Sequence, residues 1–440
     1  MLGKDLSGPS SPLVQPVSLA KSPVTPVVRI QTPSQRKRGK AAKRHERKLR
    51  EQITRLEAEG KHRQAKRLGR MYCKSFDAKL VAASDANRRL PAGQRAKRAE
   101  LHEIAADMDL RQTQGTATFR AEPKKKGYRP VVNFDLRGRT AQLVLKRAAK
   151  PFIKIRPDQY ASDGGQPAAC HRIVELAAQG YAWFEEIDVR SFYASINSEG
   201  VTELLGDLPK GMTEANALSS RVRASFMKTK RDIPHNDLCK LRNEVRAGIP
   251  QGSALSPLVA EAVMSNVLDQ ATQGADWPDV QLVVFADNIA VLGRTKADVE
   301  DAAENLAGAF SGSQLGPFNL HRKPARSIKL GFDFLSTRFI ARNRRIRAEV
   351  APAARLKRLH WISTKLKGST SAKEIRRRMR SWGAAMGLSK GGRPLTKAVQ
   401  WANSVLSYAL VHKLRGRTLL AQANYHHRAL HKPGLIHAHG

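Results

Sequence analysis

Two aspartates carry the first sign of chemistry. Asp188 closes an apolar run, YAWFEEIDV, and Asp287 sits inside VVFADNIAV with apolar residues on both sides. An acid so flanked is costly unless it binds something. The two lie 287 − 188 = 99 residues apart, so separate elements must bring them together. Carboxylates that converge in this way suit a pair of divalent ions about 3.5–4 Å apart, which can join a 3′-hydroxyl to an α-phosphate and neutralise the departing pyrophosphate. Mg²⁺ takes hard oxygen ligands and keeps waters and substrate phosphates, so few protein carboxylates suffice. One such aspartate would more often cap a turn or pair with arginine. Two, with a Gly-Pro-Gly-rich segment between them, make a stronger case for a bound cation.

The elements that would position these acids follow from apolar spacing. YAWFEEIDV (181–189) reads as a buried strand. LSPLVAEAVMSNVLDQA (255–271) reads as a helix, with Leu255, Val259, Ala262, Val263 and Val267 at helical spacing. VQLVVFADNIAVLGR (280–294) reads as a hairpin turning at Ala286–Asn288. A helix over 297–310 and a strand pair over 326–347 follow, which gives an α+β pattern. Upstream, Leu49, Ile53, Leu56 and Leu68 set a helical period across 46–70 with a break at Gly60, and SFDAKLVAAS forms a second helix. TATFRAEPKKKGYRPVVNFD reads as two strands joined at KKKG, with helices over 139–153 and 167–179. Residues 353–415 are basic and mostly helical in pattern.

Charge narrows the partner. Lys and Arg number 78 against 38 Asp and Glu, a formal net charge of +40 and a pI near 10.8. A chain so charged repels itself unless a polyanion neutralises it. The excess runs along the whole chain rather than one amphipathic helix, which favours nucleic acid over a membrane surface. Residues 1–35, rich in Pro, Ser and Val, read as a disordered arm, and RKRGKAAKRHERKLR (36–50) as a phosphate-contacting run. No run reaches the ~20 apolar residues of a membrane span. The first residues lack the pattern of a secretory signal. The three cysteines, Cys73, Cys170 and Cys239, are widely separated and suggest neither disulfides nor zinc. A cytoplasmic location is the expectation.

The motifs, taken together, resemble a known family. IDVRSFYASI, AGIPQGSALSPLVAEAV and VVFADNIAVL stand in the order of the A, B and C motifs of reverse transcriptases, closest in style to group II intron and other bacterial enzymes. GIPQGSALSP matches over ten consecutive positions, 248–257. LREQITRLEAEGKHRQAKRLGRMYCKSFDAKLVAA resembles the helical N-terminal extension of intron-type enzymes, KKKGYRPVVNFDLRGRTAQLVLK their fingers, and LGFDFLSTRF the hairpin that grips the primer. The likeness covers about residues 49–340.

The resemblance implies a right-hand polymerase. Its parts would be a disordered basic arm (1–45), a helical extension (46–115), fingers (116–180), a palm with an antiparallel sheet (181–340, with an insertion at about 200–245) and a helical basic thumb and tail (341–440). It implies that Asp188, Asp287 and the backbone carbonyl of Val189 hold two Mg²⁺ ions, with Mn²⁺ as an alternative. Tyr193 would be the steric gate that excludes a 2′-hydroxyl and selects dNTP. Gln251 and Gly252 would line the nucleotide pocket, and Lys126 and Arg129 would hold the triphosphate. Lys323 matches a lysine that protonates pyrophosphate, although Pro324 follows it in place of the usual threonine.

Two departures stand out. The usual Tyr-Ala-Asp-Asp reads Phe285-Ala286-Asp287-Asn288, which removes one negative charge from the site, and SDGGQPAAC (162–170) alters a fingers element. The expected activity is RNA-templated DNA synthesis by a standalone bacterial enzyme copying a structured non-coding RNA, by analogy in anti-phage defence, since no nuclease pattern accompanies it. An oligomer or a partner protein stays open. The rivals are an RNA-templated RNA polymerase, against which Tyr193 argues, and a non-catalytic maturase-like RNA binder, for which Asn288 argues. The tail NYHHRALHKPGLIHAHG, with five histidines, reads as a solvated or RNA-contacting segment before a metal site.

Overall fold

In the computed structural model, residues 33–110, 117–124, 127–204, 224–226, 233–273, 277–342, 345–354 and 357 are described. The basic segment 353–415 and the histidine tail therefore lie almost wholly outside the described residues, as does Lys126. The chain divides into the units Met1–Ala41 and Ala42–Gly440.

Helices α1 (Pro33–Ala58), α2 (His62–Lys74), α3 (Phe76–Arg89) and α4 (Arg98–Asp107) open the described chain. The break between α1 and α2 falls at Gly60, whose φ of 72° needs a residue without Cβ strain. Residues 33–45, expected within a disordered arm, are helical. Their Lys, Arg, Ala and Gln are good helix formers whatever their charge. Ser75 starts α3 by accepting a hydrogen bond from the Ala78 amide. Ile53 and Tyr72 are fully buried, and the Tyr72 hydroxyl donates to Glu46 at 2.7 Å.

The fingers hairpin follows, β1 (Ala117–Pro123) and β2 (Tyr128–Phe134), paired antiparallel, with the short β4 (Ala224–Phe226) parallel to β1. Phe119, Val132 and Phe134 form a small core of their own with Leu241 and Val245 of α9 (His235–Ala247). Asp135 caps α5 (Leu136–Ala149) by accepting from the Gly138 amide at 2.8 Å. The alanine faces of α3 and α5 pack together, and Arg147 of α5 pairs with Asp85 of α3.

The palm sheet has the strand order β5-β6-β3-β7, from β5 (Val280–Phe285), β6 (Asn288–Gly293), β3 (Trp183–Arg190) and β7 (Asn319–Arg322), with β8 (Arg326–Ser327) also on β3. Every pairing in it is antiparallel. Period two divides its faces. Ile187, Val189, Ile289 and Val291 face the large core shared with α10 (Ser256–Thr272) and α11 (Lys296–Gly312). Phe184, Val283, Ala290 and Leu292 face the other core, under α6 (Gly165–Ala178) and the sheet of β9 (Phe332–Phe334), β10 (Thr337–Arg342) and β11 (Arg345–Val350). There Phe184 stacks on Phe332 at 4.0 Å and Phe332 on Phe339 at 4.7 Å. Burying each such ring contributes roughly 1.5–3 kcal/mol.

The segment 326–347, expected as one strand pair, holds four short strands. Gly331, with φ 75°, and the left-handed Leu335 and Ser336 turn the chain between them. Among the described helices none is long and apolar enough to cross a membrane.

Candidate active site

The second palm face changes character along its length. Phe184, Glu186 and Asp188 point the same way from β3, and their register partners on β6 are Leu292, Ala290 and Asn288. The apolar end is covered; the polar end is the site. Asp188 lies opposite Asn288 on one side and His321 of β7 on the other.

Asp287 reaches the same place from the β5–β6 turn. Ala286, first in that two-residue turn, is left-handed at φ 56°, a strained conformation for alanine that costs roughly 1–2 kcal/mol. It is held because the Val189 amide donates to the Asp287 carbonyl at 2.9 Å. The two acids thus meet through one backbone hydrogen bond. Burial pushes the Asp287 carboxyl above its ordinary value; its own backbone amide opposes this, the Asp188 charge adds to it, and the Asn288 amide, donating at 3.0 Å, opposes it. A desolvated carboxylate facing a second one is a deficit that a divalent cation relieves. These donors fit Mg²⁺, which takes a small protein share of ligands. Among the described residues no three His, Cys, Asp or Glu side chains gather as an all-protein metal cage would require.

Tyr193 follows on the short α7 (Phe192–Ser195), entered through Ser191 at φ 50° and followed by α8 (Ser198–Leu204). Burial, then the charges of Asp287 and Glu261, push its phenol up to about 12, so the ring lies in the field of both acids. The Gly-Ile-Pro-Gln-Gly turn (248–252) packs directly behind it. The Ile249 amide donates to the Tyr193 carbonyl at 2.9 Å, and a Cβ on Gly248 would lie 2.0 Å from that carbonyl oxygen. Gly252, at φ 114°, leaves no room either: a Cβ there would lie 2.2 Å from the Val132 carbonyl oxygen. The Val132 amide in turn donates to the Gln251 carbonyl at 2.7 Å. The turn is a backbone clasp between palm and fingers.

The remaining expected residues are placed less centrally. Arg129 stands on β2 and pairs with Glu122 of β1 at 2.8 Å, so its guanidinium is engaged within the hairpin. Lys126 lies outside the described residues. Lys323 donates to Glu186 at 2.6 Å, two residues along β3 from Asp188, so it shares the polar face. In the altered segment 162–170, Gly164 and Gly165 are left-handed and lead into α6, while Gln166 donates to the Leu335 carbonyl. Val189 is buried and supplies the amide that positions Asp287.

Sequence reasoning missed Glu186, His321, Lys146, Lys150 and Glu261. Glu186 was visible two residues before Asp188 on the same strand. His321 had no signal, because only the β3–β7 register sets it beside Asp188. The Arg190 guanidinium lies 3.2 Å from the His321 Nδ1.

Residues 122–315 match the family model described as reverse transcriptase (RNA-dependent DNA polymerase), a stretch that holds every candidate residue except Lys323. No curated protein gives a significant sequence match. Solved structures similar to the chain include apo telomerase from Candida tropicalis (10% identity, 68% of this chain and 60% of that one, TM-score 0.40). A form of that telomerase truncated of its C-terminal domain is also similar (11%, 53% and 55%, 0.37). So is telomerase from Candida albicans in complex with a fragment of telomeric RNA (11%, 66% and 64%, 0.34). The chain spans between 55% and 64% of the length of these structures. Residues 122–315 thus match a reverse transcriptase domain, and the described chain has the α+β architecture of a right-hand polymerase.

Proposed function

We propose that the protein copies RNA into DNA by two-metal nucleotidyl transfer. The observation that carries this reading is the Val189–Asp287 backbone hydrogen bond, which sets Asp287 beside Asp188 at the polar end of the palm sheet. Asp188, Asp287 and the Val189 carbonyl would hold Mg²⁺, with Mn²⁺ as a substitute; when bound, the ions polarise the 3′-hydroxyl and offset charge on the leaving phosphates. The chain's own residues do the rest. The Tyr193 ring excludes a 2′-hydroxyl from the incoming sugar. Gln251 and Gly252 bring bare backbone against the nascent base pair. Arg129 and Lys126 supply cations to the triphosphate, which requires Arg129 to leave Glu122. Lys323, held by Glu186, is placed to give up a proton to pyrophosphate.

The +40 charge supports an RNA template, in this reading a structured non-coding RNA bound by the basic helices. A bacterial enzyme of anti-phage defence, acting in the cytoplasm, is the role that the motif style suggests by analogy.

One observation favours a second reading. The Asn288 amide stands where an acid is usual, which suits a non-catalytic RNA binder. Primer extension on an RNA template separates the two. Asp188→Asn and Asp287→Asn should lower extension at least about a thousandfold, the scale of a lost contact to developing charge, and leave RNA affinity unchanged. Absence of extension by the wild type with dNTP and either metal would leave only the RNA binder. Faster incorporation of NTP than dNTP would instead make the product RNA.

A further inference from the structure

A cavity of about 330 Å³ opens beside the site, between the end of α5 and the flank of α10. That is the lower end of the range for ligand pockets, roughly 300–1,000 Å³. Its wall includes Tyr193 and Ala286, the second of which directly precedes Asp287, so the cavity adjoins the proposed catalytic site. Lys146 and Lys150 of α5 line it from one side. Neither ammonium group makes a hydrogen bond or ion pair among the described residues. Glu261 of α10 lines it from the other. That side chain is 5% exposed. Its Oε2 accepts a hydrogen bond from the Ser162 hydroxyl, while its Oε1 is buried with no partner.

A buried acceptor without a donor costs roughly 1–3 kcal/mol, so it points to something that binds. Two ammonium groups are too few for a triphosphate, yet they suit one backbone phosphate and its neighbour. A partner that brings both a phosphate and a hydroxyl donor is a ribonucleotide unit. We infer that this cavity holds one ribonucleotide of the template strand, its phosphate against Lys146 and Lys150 and its 2′-hydroxyl donating to Glu261 Oε1. DNA lacks that donor, so Glu261 is a specificity residue that favours RNA as the template. The 2′-hydroxyl is the group by which a protein tells the two polymers apart at one position. This rests on the polymerase reading for the identity of the strand, but its binding arm does not need catalysis.

The experiment is a scan of single 2′-deoxy substitutions along a primed RNA template, bound by the full-length protein and followed by fluorescence anisotropy. For the wild type, one position near the primer end should weaken binding about tenfold, the order of a hydrogen bond to a charged group. With Glu261→Leu that position should lose its effect, to within about twofold, as a coupled pair must. Glu261→Gln, which keeps an acceptor, should retain it. A scan with no sensitive position, or the same loss in Glu261→Leu, overturns the assignment. So does a raised dNTP KM in Glu261→Leu with template coupling intact, since the occupant is then a free nucleotide. A position sensitive only when one particular base occupies it overturns the sugar contact as well. If Glu261→Leu does not fold, Lys146→Met carries the test. It should reduce the slope of log affinity against log salt by about one, and an unchanged slope overturns the phosphate contact. A protein that binds with this pattern yet makes no DNA refutes the proposed activity and leaves this inference standing.

Discussion

Single side chains set the charge of the site, and Asn288 is the one that sets it apart. Its amide donates to Asp287, so Asn288→Asp exchanges a donor for a third negative charge. The expected outcome is a lower Mg²⁺ concentration for half-maximal extension, because carboxylate count tunes affinity for a hard cation. In EDTA the same variant should melt at a lower temperature than the wild type. Glu261 gives a pH signature of its own. Burial raises its carboxyl above the ordinary 4.5, against the opposing pull of Ser162 and of Lys146 and Lys150. The folded state therefore holds that proton more tightly than the unfolded chain. Below 4.5 both states are protonated and burial of this group costs little; as pH rises through the raised value, the folded state must carry a desolvated charge and stability falls. Glu261→Gln should thus raise the melting temperature at pH 7–8, with the gain vanishing near pH 4. Asp188, Asp287 and Tyr193 stood out as candidates in the sequence because motif residues surround each one. Glu261 was not, since an acid inside an apolar helix pattern looks like one position of its solvent face until the packing shows α10 buried nearly all round.

The elements were legible where a period was strong. Strand β3, helix α10 and the β5–β6 hairpin fall within a residue or two of the ranges read from apolar spacing. Within 326–347, β8 and β9 were not separable from their neighbours, because strands of two or three residues carry no alternation to read. The helical start at Pro33 was obscured by charge, which marks solvent exposure as readily as disorder. Register lies beyond sequence altogether, and so His321 and Lys323 could be related to Asp188 only after β7 was seen against β3. The glycine clasp supplies a test at this scale. Gly248→Ala forces a methyl group onto the Tyr193 carbonyl and should destabilise the fold by about 2–3 kcal/mol, as overpacking does, visible as a lower urea midpoint, and should remove extension activity. Gly308→Ala, in α11 with nothing within 4 Å of the added carbon, is the control and should be neutral or stabilise by about 0.5–1 kcal/mol.

Across the whole molecule, charge dominates. An excess of 78 Lys and Arg over 38 acids makes phosphate neutralisation the main source of affinity for any nucleic acid. If six to ten phosphates are contacted, RNA affinity should fall by roughly 10³–10⁵ between 50 and 200 mM salt, measured by anisotropy on RNAs of unrelated sequence. A shallow slope would confine the contacts to a few residues and leave most of the basic surface without a role. Composition alone exposed this property, whereas the division of the chain into a palm with two cores and fingers with a separate small one needed coordinates.

That separate fingers core has a mechanical consequence. Phe119, Val132 and Phe134 pack with α9 apart from the rings and helices on the two faces of the palm sheet. The Val132 amide that donates to the Gln251 carbonyl links that small core to the glycine turn. If the domain acts as proposed, a swing of the hairpin toward a triphosphate would tug the glycine turn, and through Ile249 the backbone of Tyr193. Closure and alignment of that ring would then be one motion, transmitted along a main-chain wire two hydrogen bonds long.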